Sequence, residues 1–177
     1  GTILGTSNKH EPFHYPVTER GRRAFRDLSG RVLANARRWK LDAVVLIGGD
    51  GTMHVGHELA VRGLPVIGVP KTIDNDLAET DVTFGFDSAV ATVTEAVDRI
   101  HTTAMSHHRV MVVETMGRYA GWIALYAGVA GGGDIILLPE LPYDLRKIAD
   151  VVRARNTVGK RFSIVVEFGV NDDVQSI

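Results

Sequence analysis

The period of apolar positions switches repeatedly along the chain. Ala43 to Ile47 (AVVLI) and Pro65 to Val69 (PVIGV) are short, apolar and mostly β-branched, the pattern of buried strands. Val110 to Val113, Ile135 to Leu138 and Phe162 to Phe168 repeat it. Helical spacing fills the intervals. From Val17 to Lys40, Phe25, Leu28, Val32, Ala36 and Trp39 recur at three- and four-residue steps, with a break near Ser29-Gly30. A helix is expected after Thr52, through Ala60. Asp87 is expected to cap another, whose apolar face is Val90, Val93, Val97, Ile100 and Ala104. Tyr119 to Val129, rich in Ala and Gly, and Asp144 to Thr157 complete the set. Strands alternating with helices over short connections predict an α/β fold with a doubly wound, mainly parallel sheet.

Composition adds exclusions. With 45% hydrophobic and 23% charged residues the chain has the balance of a soluble globular protein. A net charge of -1 implies no whole-chain attraction to nucleic acid or to an anionic membrane. Arg22, Arg23, Arg26, Arg31, Arg37 and Arg38 crowd one predicted helix, but the chain as a whole is not basic, so the arginines are read as a solvated face. The absence of cysteine rules out disulfides, thiolate-bound zinc and thiol catalysis. No apolar run reaches membrane-spanning length, and no signal-peptide pattern stands out. His54 and His57 precede Glu58 without an HExxH pattern and are read as surface histidines.

Three strands run into loops dense with functional groups: GGDGT at 48–52, PKTIDND at 70–76 and ETMGR at 114–118. In a parallel sheet the carboxyl ends of strands share one edge, where such folds put their chemistry. The glycines of the first loop allow close backbone approach to a phosphate, with a helix start behind them. Asp50 there suits a magnesium ion or its water shell. The loop is neither a dinucleotide fingerprint, since His54 takes the third glycine position, nor a Walker loop. A plain glycine turn with a capping Asp is the other reading. The second loop reads as an acidic turn or as an active site. Asp74 and Asp76 are expected to face opposite sides and to do two jobs rather than share a proton.

The segments VVLIGGDGT, VIGVPKTIDND, DVTFGFDSA, HHRVMVVETMGR and YAGW, in that order, resemble the phosphofructokinase family. The likeness runs from GTILGTS at the start to FSIVVE near the end. It implies phosphoryl transfer to the 1-hydroxyl of fructose 6-phosphate, a step of glycolysis, in a cytoplasmic enzyme. By resemblance Asp74 is the base, aided by Thr72, Lys71 and Arg118. Thr72, Asp74, Asp76, Met116, Gly117, Arg118 and Glu167 would contact the sugar phosphate. Gly49, Asp50, Gly51 and Thr52 would hold the donor, with Mg2+ on Asp50. Arg109 matches an arginine that reaches the 6-phosphate in a neighbouring subunit, so a homodimer or homotetramer with shared active sites is implied.

Two family features disagree about the donor. Glycine at position 51 goes with ATP, whereas lysine at position 71 goes with pyrophosphate. Steric exclusion is the harder constraint, so ATP is the expectation and pyrophosphate the alternative. An arginine usual near the start is replaced by Asn8 and Lys9, and Asn171 to Ile177 departs from the pattern that resembles the family up to the Glu167 strand. The family's opening glycine loop and its C-terminal remainder are missing, so residues 1–177 are expected to be the donor-binding and catalytic region of a longer protein. Two other classes carry part of the pattern: a NAD or lipid kinase sharing GGDGT, and a non-catalytic regulatory relative. TIDND and MGR argue against the first, and retention of Asp74, Asp76 and Arg118 against the second.

Overall fold

The computed structural model of the chain describes residues 11–117 and 119–169. It separates into two compact units, residues 1–70 and 71–177. The first opens with a hairpin of β1 (Tyr15–Glu19) and β2 (Arg22–Arg26), then α1 (Ser29–Arg38), β3 (Val44–Gly48), α2 (Asp50–Val61) and β4 (Val66–Pro70).

The hairpin replaces the first half of the helix expected over 17–40. Arg20 and Gly21 both have positive φ, 48° and 76°, and form the two-residue loop between antiparallel strands. Positive φ at both central positions is the geometry of a type I′ turn, whose twist suits a hairpin. Arginine at the first of these positions lacks the usual Asn-Gly signature, and helical spacing among the flanking apolar residues was the misleading signal. The expected arginine face is thus divided, with Arg22, Arg23 and Arg26 on β2 and Arg31, Arg37 and Arg38 on or ending α1. The helix starts where Asp27 Oδ1 accepts the Ser29 amide at 2.8 Å. Hydrogen bonds from Ser29, then the Arg62 guanidinium at 3.0 Å, hold the Asp27 carboxyl below its ordinary range.

β3 and β4 pair in parallel, with Gly48 opposite Pro70. Their inward residues Val44 and Val66 pack with Ala36, Leu59 and Leu64 of this unit's core. Gly56 lets α2 lie close on the pair, since a Cβ there would be 2.9 Å from Leu46 Cδ1.

The second unit runs α3 (Phe86–His107), β5 (Val110–Thr115), α4 (Trp122–Ala130), β6 (Ile135–Ile136), α5 (Leu145–Thr157) and β7 (Ser163–Phe168). The sheet is parallel, in the order β5-β7-β6. β7 is central and buried from Ser163 to Val166, which accounts for its unbroken apolar run. The core gathers Val97 and Ala104 of α3, Ala124 of α4, and Ile164 and Val166. Asp87 does not cap α3. Gly85 holds the N-cap position, and Asp87 lies in the first turn, where a carboxylate still favours the helix dipole. Asp144 caps α5 by accepting the Arg146 amide at 2.8 Å. The described residues therefore form an α/β structure with its parallel strands in two sheets, one per unit, and an antiparallel hairpin that the apolar spacing concealed.

One ion pair ties the sheet to α5. Arg155 reaches Asp134 at 2.6 Å with both side chains about four-fifths buried. The other carboxylate oxygen accepts the Ile164 amide at 3.0 Å, and Arg155 Nε donates to Ser163 Oγ at 3.0 Å. Removing one partner of a mostly buried pair strands the other charge. Asp134→Ala is therefore expected to destabilise the protein by about 3 kcal/mol in chemical denaturation. A loss below about 1 kcal/mol would mean that water solvates the pair as it does an exposed one.

Candidate active site

Residues 71–80 follow β4 without regular secondary structure, so side chains and a neighbouring segment have to satisfy their backbone groups. Asp74 N donates to Thr72 Oγ1 at 3.2 Å, and that hydroxyl lies 3.4 Å from Asp74 Oδ2. Thr72 and Asp74 are half-buried, whereas Lys71 and Asp76 are exposed. Alternation gives no reason for the two aspartates to face opposite sides. Residues i and i+2 of an extended chain share a side. Burial separates them here.

Segment 83–85 holds this loop from behind. Thr83, only 3% exposed, donates its hydroxyl to the Asp74 carbonyl at 3.0 Å and its amide to Asn75 Oδ1 at 2.9 Å. Gly85 sits at φ +125°, and a Cβ there would lie 2.9 Å from the Thr72 carbonyl oxygen. The sequence alone assigns no role to Asn75, Thr83 or Gly85. The DVTFGFDSA segment marked the place, and a glycine just before a helix start was the available signal.

In the first unit, Gly48 ends β3 and Gly49 is the N-cap of α2, extended at φ -90° and ψ -161°, with no side chain capping it. The leading amides of a helix lack intrahelical partners and carry the positive end of its dipole, so this start suits an anion. Asp50 is exposed at the first helical residue. Thr52 folds back over Gly48, where a Cβ would collide with Thr52 Oγ1. Around Gly51 a Cβ would find no described atom within 4 Å, so space is open beside the backbone. Among the described residues no group of three His, Asp or Glu side chains could enclose a metal ion. His54 and His57 are exposed on α2.

The ends of β5 and β7 bring a further set together. Glu114 pairs in register with Glu167, and Thr115 Oγ1 donates to the Glu167 carbonyl at 3.0 Å. Glu114, which had no assigned role, therefore stands beside Glu167 at the strands' carboxyl ends. Met116 is 64% exposed just beyond, and Gly117 is buried, its would-be Cβ 2.6 Å from the Ala120 carbonyl oxygen. Arg118 lies outside the described residues, as do Asn8, Lys9 and the tail 171–177.

Arg109 is not with this group. It precedes β5, its amide closing the end of α3 on Ala104 at 3.0 Å. The six residues of β5 separate it from Met116, roughly 20 Å at strand rise.

A family model described as phosphofructokinase matches residues 1–175. The chain is 54% identical over 167 residues to the ATP-dependent 6-phosphofructokinase 2 of Clostridium perfringens, covering 94% of this chain and 46% of that one. It is 54% identical to the ATP-dependent 6-phosphofructokinase of Spirochaeta thermophila, covering 94% and 45%. The chain thus spans a little under half the length of the curated relatives it matches. Among solved structures, Pichia pastoris phosphofructokinase in the T-state aligns with a TM-score of 0.80 at 32% identity, over 98% of this chain and 19% of that one. The pyrophosphate-dependent phosphofructokinase of Marinobacter aquaeolei aligns with a TM-score of 0.70 at 29% identity, over 80% and 40%.

The close approach at Gly85 gives a direct test. Any side chain there meets both an unfavourable φ and a backbone oxygen that cannot rotate away. Gly85→Ala is expected to cost roughly 1–3 kcal/mol, read by thermal or chemical unfolding. Hydrogen exchange should also quicken in residues 72–76. Unchanged exchange in that loop would disconnect Gly85 from it.

Proposed function

The chain belongs to the phosphofructokinase family, and we propose that it forms the donor-binding and catalytic region of an enzyme phosphorylating fructose 6-phosphate with ATP in the cytoplasm. The observation that carries this reading is Asp74, half-buried on the loop after β4, with its amide on Thr72 Oγ1. A carboxylate so held accepts the proton of the sugar 1-hydroxyl as that oxygen attacks the terminal phosphorus of the donor. The new O–P bond forms as the bond to the β-phosphate oxygen breaks, and ADP leaves. Lys71 and Arg118 balance charge on the transferred group. Thr72, Asp76, Met116, Gly117 and Glu167 serve the sugar.

The uncapped start of α2 and the glycines before it fit the donor phosphates. A lone exposed Asp50, with no enclosing cluster among the described residues, fits Mg2+ better than a protein-caged metal. Magnesium keeps waters and phosphate oxygens as most of its ligands. Bound there, the ion would shield the donor's negative charge. Arg109, a strand length from Met116, suits a 6-phosphate bound by a neighbouring copy, so we infer a homodimer or homotetramer with shared sites.

Open space at Gly51 favours ATP, because a carboxylate there would overlap and repel the α-phosphate. The names of the relatives at 54% identity agree. Lys71, the residue that goes with pyrophosphate in the family, is what favours the second reading, pyrophosphate as donor, but its ammonium serves either donor and does not exclude ATP.

Steady-state assays of the intact protein on fructose 6-phosphate, with ATP and pyrophosphate side by side, test both readings. Faster turnover with pyrophosphate would overturn the argument from Gly51. Gly51→Asp is expected to cripple ATP use while leaving fructose 6-phosphate binding in place. Asp74→Ser is expected to lower kcat by about two to four orders of magnitude with a much smaller change in sugar KM. Near-normal turnover in that variant would remove Asp74 from the role of base.

A further inference from the structure

We infer that Thr83 is the residue that positions the Asp74 carboxylate, acting through the loop backbone. The inference rests on the reading of Asp74 as the base. A general base works only within hydrogen-bond reach of the proton it takes, and displacement of about 1 Å costs up to about a hundredfold. Asp74 lies on a stretch with no strand or helix to hold it. Its carbonyl accepts the Thr83 hydroxyl at 3.0 Å, and the next residue, Asn75, accepts the Thr83 amide through Oδ1 at 2.9 Å. One buried residue therefore grips two consecutive positions of the loop. Asn75 Nδ2 also donates to the Asp81 carbonyl at 3.4 Å, extending the clamp.

Thr83 is 3% exposed and precedes Phe86, the buried first residue of α3, by three positions. The clamp is thus anchored to the start of a 22-residue helix, with the Phe86 amide bonded to the Thr83 carbonyl at 3.3 Å. A hydroxyl spent on a carbonyl has no bond left to donate to a ligand, which makes Thr83 a positioning residue rather than a catalytic one.

Thr83→Val keeps the shape and removes the donor. In the intact protein, kcat on fructose 6-phosphate and ATP is expected to fall about 10- to 100-fold, with KM for ATP within about twofold. Thr83→Ser, which restores the hydroxyl, should recover kcat to within about threefold. If the two residues act as one unit, Thr83→Val added to Asp74→Asn should change the residual rate by less than about twofold. Thr83→Val with wild-type kcat, or a loss that persists undiminished on the Asp74→Asn background, overturns the inference. Should Thr83→Val fail to fold, Asn75→Ala removes the other half of the clamp and faces the same two criteria. Asp74→Asn measured alone separates the failures: near-normal turnover there means that the base assignment has fallen, whatever Thr83 does.

Discussion

A loop between a strand and a helix has no ladder of its own, so its geometry is set by whatever satisfies its backbone. Here that constraint is concentrated in two residues of the next segment. Thr83 supplies two hydrogen bonds, and Gly85 allows a backbone approach that any side chain would block. Around this contact the rest of the second unit has an evident purpose. α3 is anchored along its length by Val97 and Ala104 in the core, so its first turn is a firm mount. A loop mounted on a packed helix can hold a charged group in one place without burying it completely.

How much of this was legible in the sequence depended on the range of the interaction. Buried strands such as β7 announced themselves, because burial on both faces leaves a run of apolar residues. Loops GGDGT and PKTIDND were found because glycines and paired acids at strand ends are locally unusual. The hairpin is hidden in the sequence because Arg20 adopts positive φ without the asparagine or glycine that normally signals it. Asp87 has the residue type of a cap, although the chain enters α3 through Gly85 instead. Thr83 and Glu114 stayed invisible for a different reason. Their significance comes from partners eight or nine residues away, or across a sheet in register, and neither relation leaves a period in the sequence.

Arg109 shows the complementary point, that adjacency along a motif can mislead. It stands seven residues before Met116, inside what reads as one continuous signature. A strand converts that short interval into nearly its full contour length, whereas a helix would have halved it. The two ends of the signature therefore face different surroundings.

The strand order of the second unit also bears on how the chain comes into being. β7 lies between β5 and β6 yet is the last of the three to be synthesised. Until residues 163–168 emerge, β5 and β6 have no common neighbour, and the apolar side chains of Met111, Val113 and Ile136 lack the strand they flank. An emerging chain thus carries two unpaired parallel edges for as long as α5 takes to make. Open edges of this kind template wrong pairings between chains. For these three strands the vulnerable interval is set by topology, and it closes when β7 pairs with both neighbours.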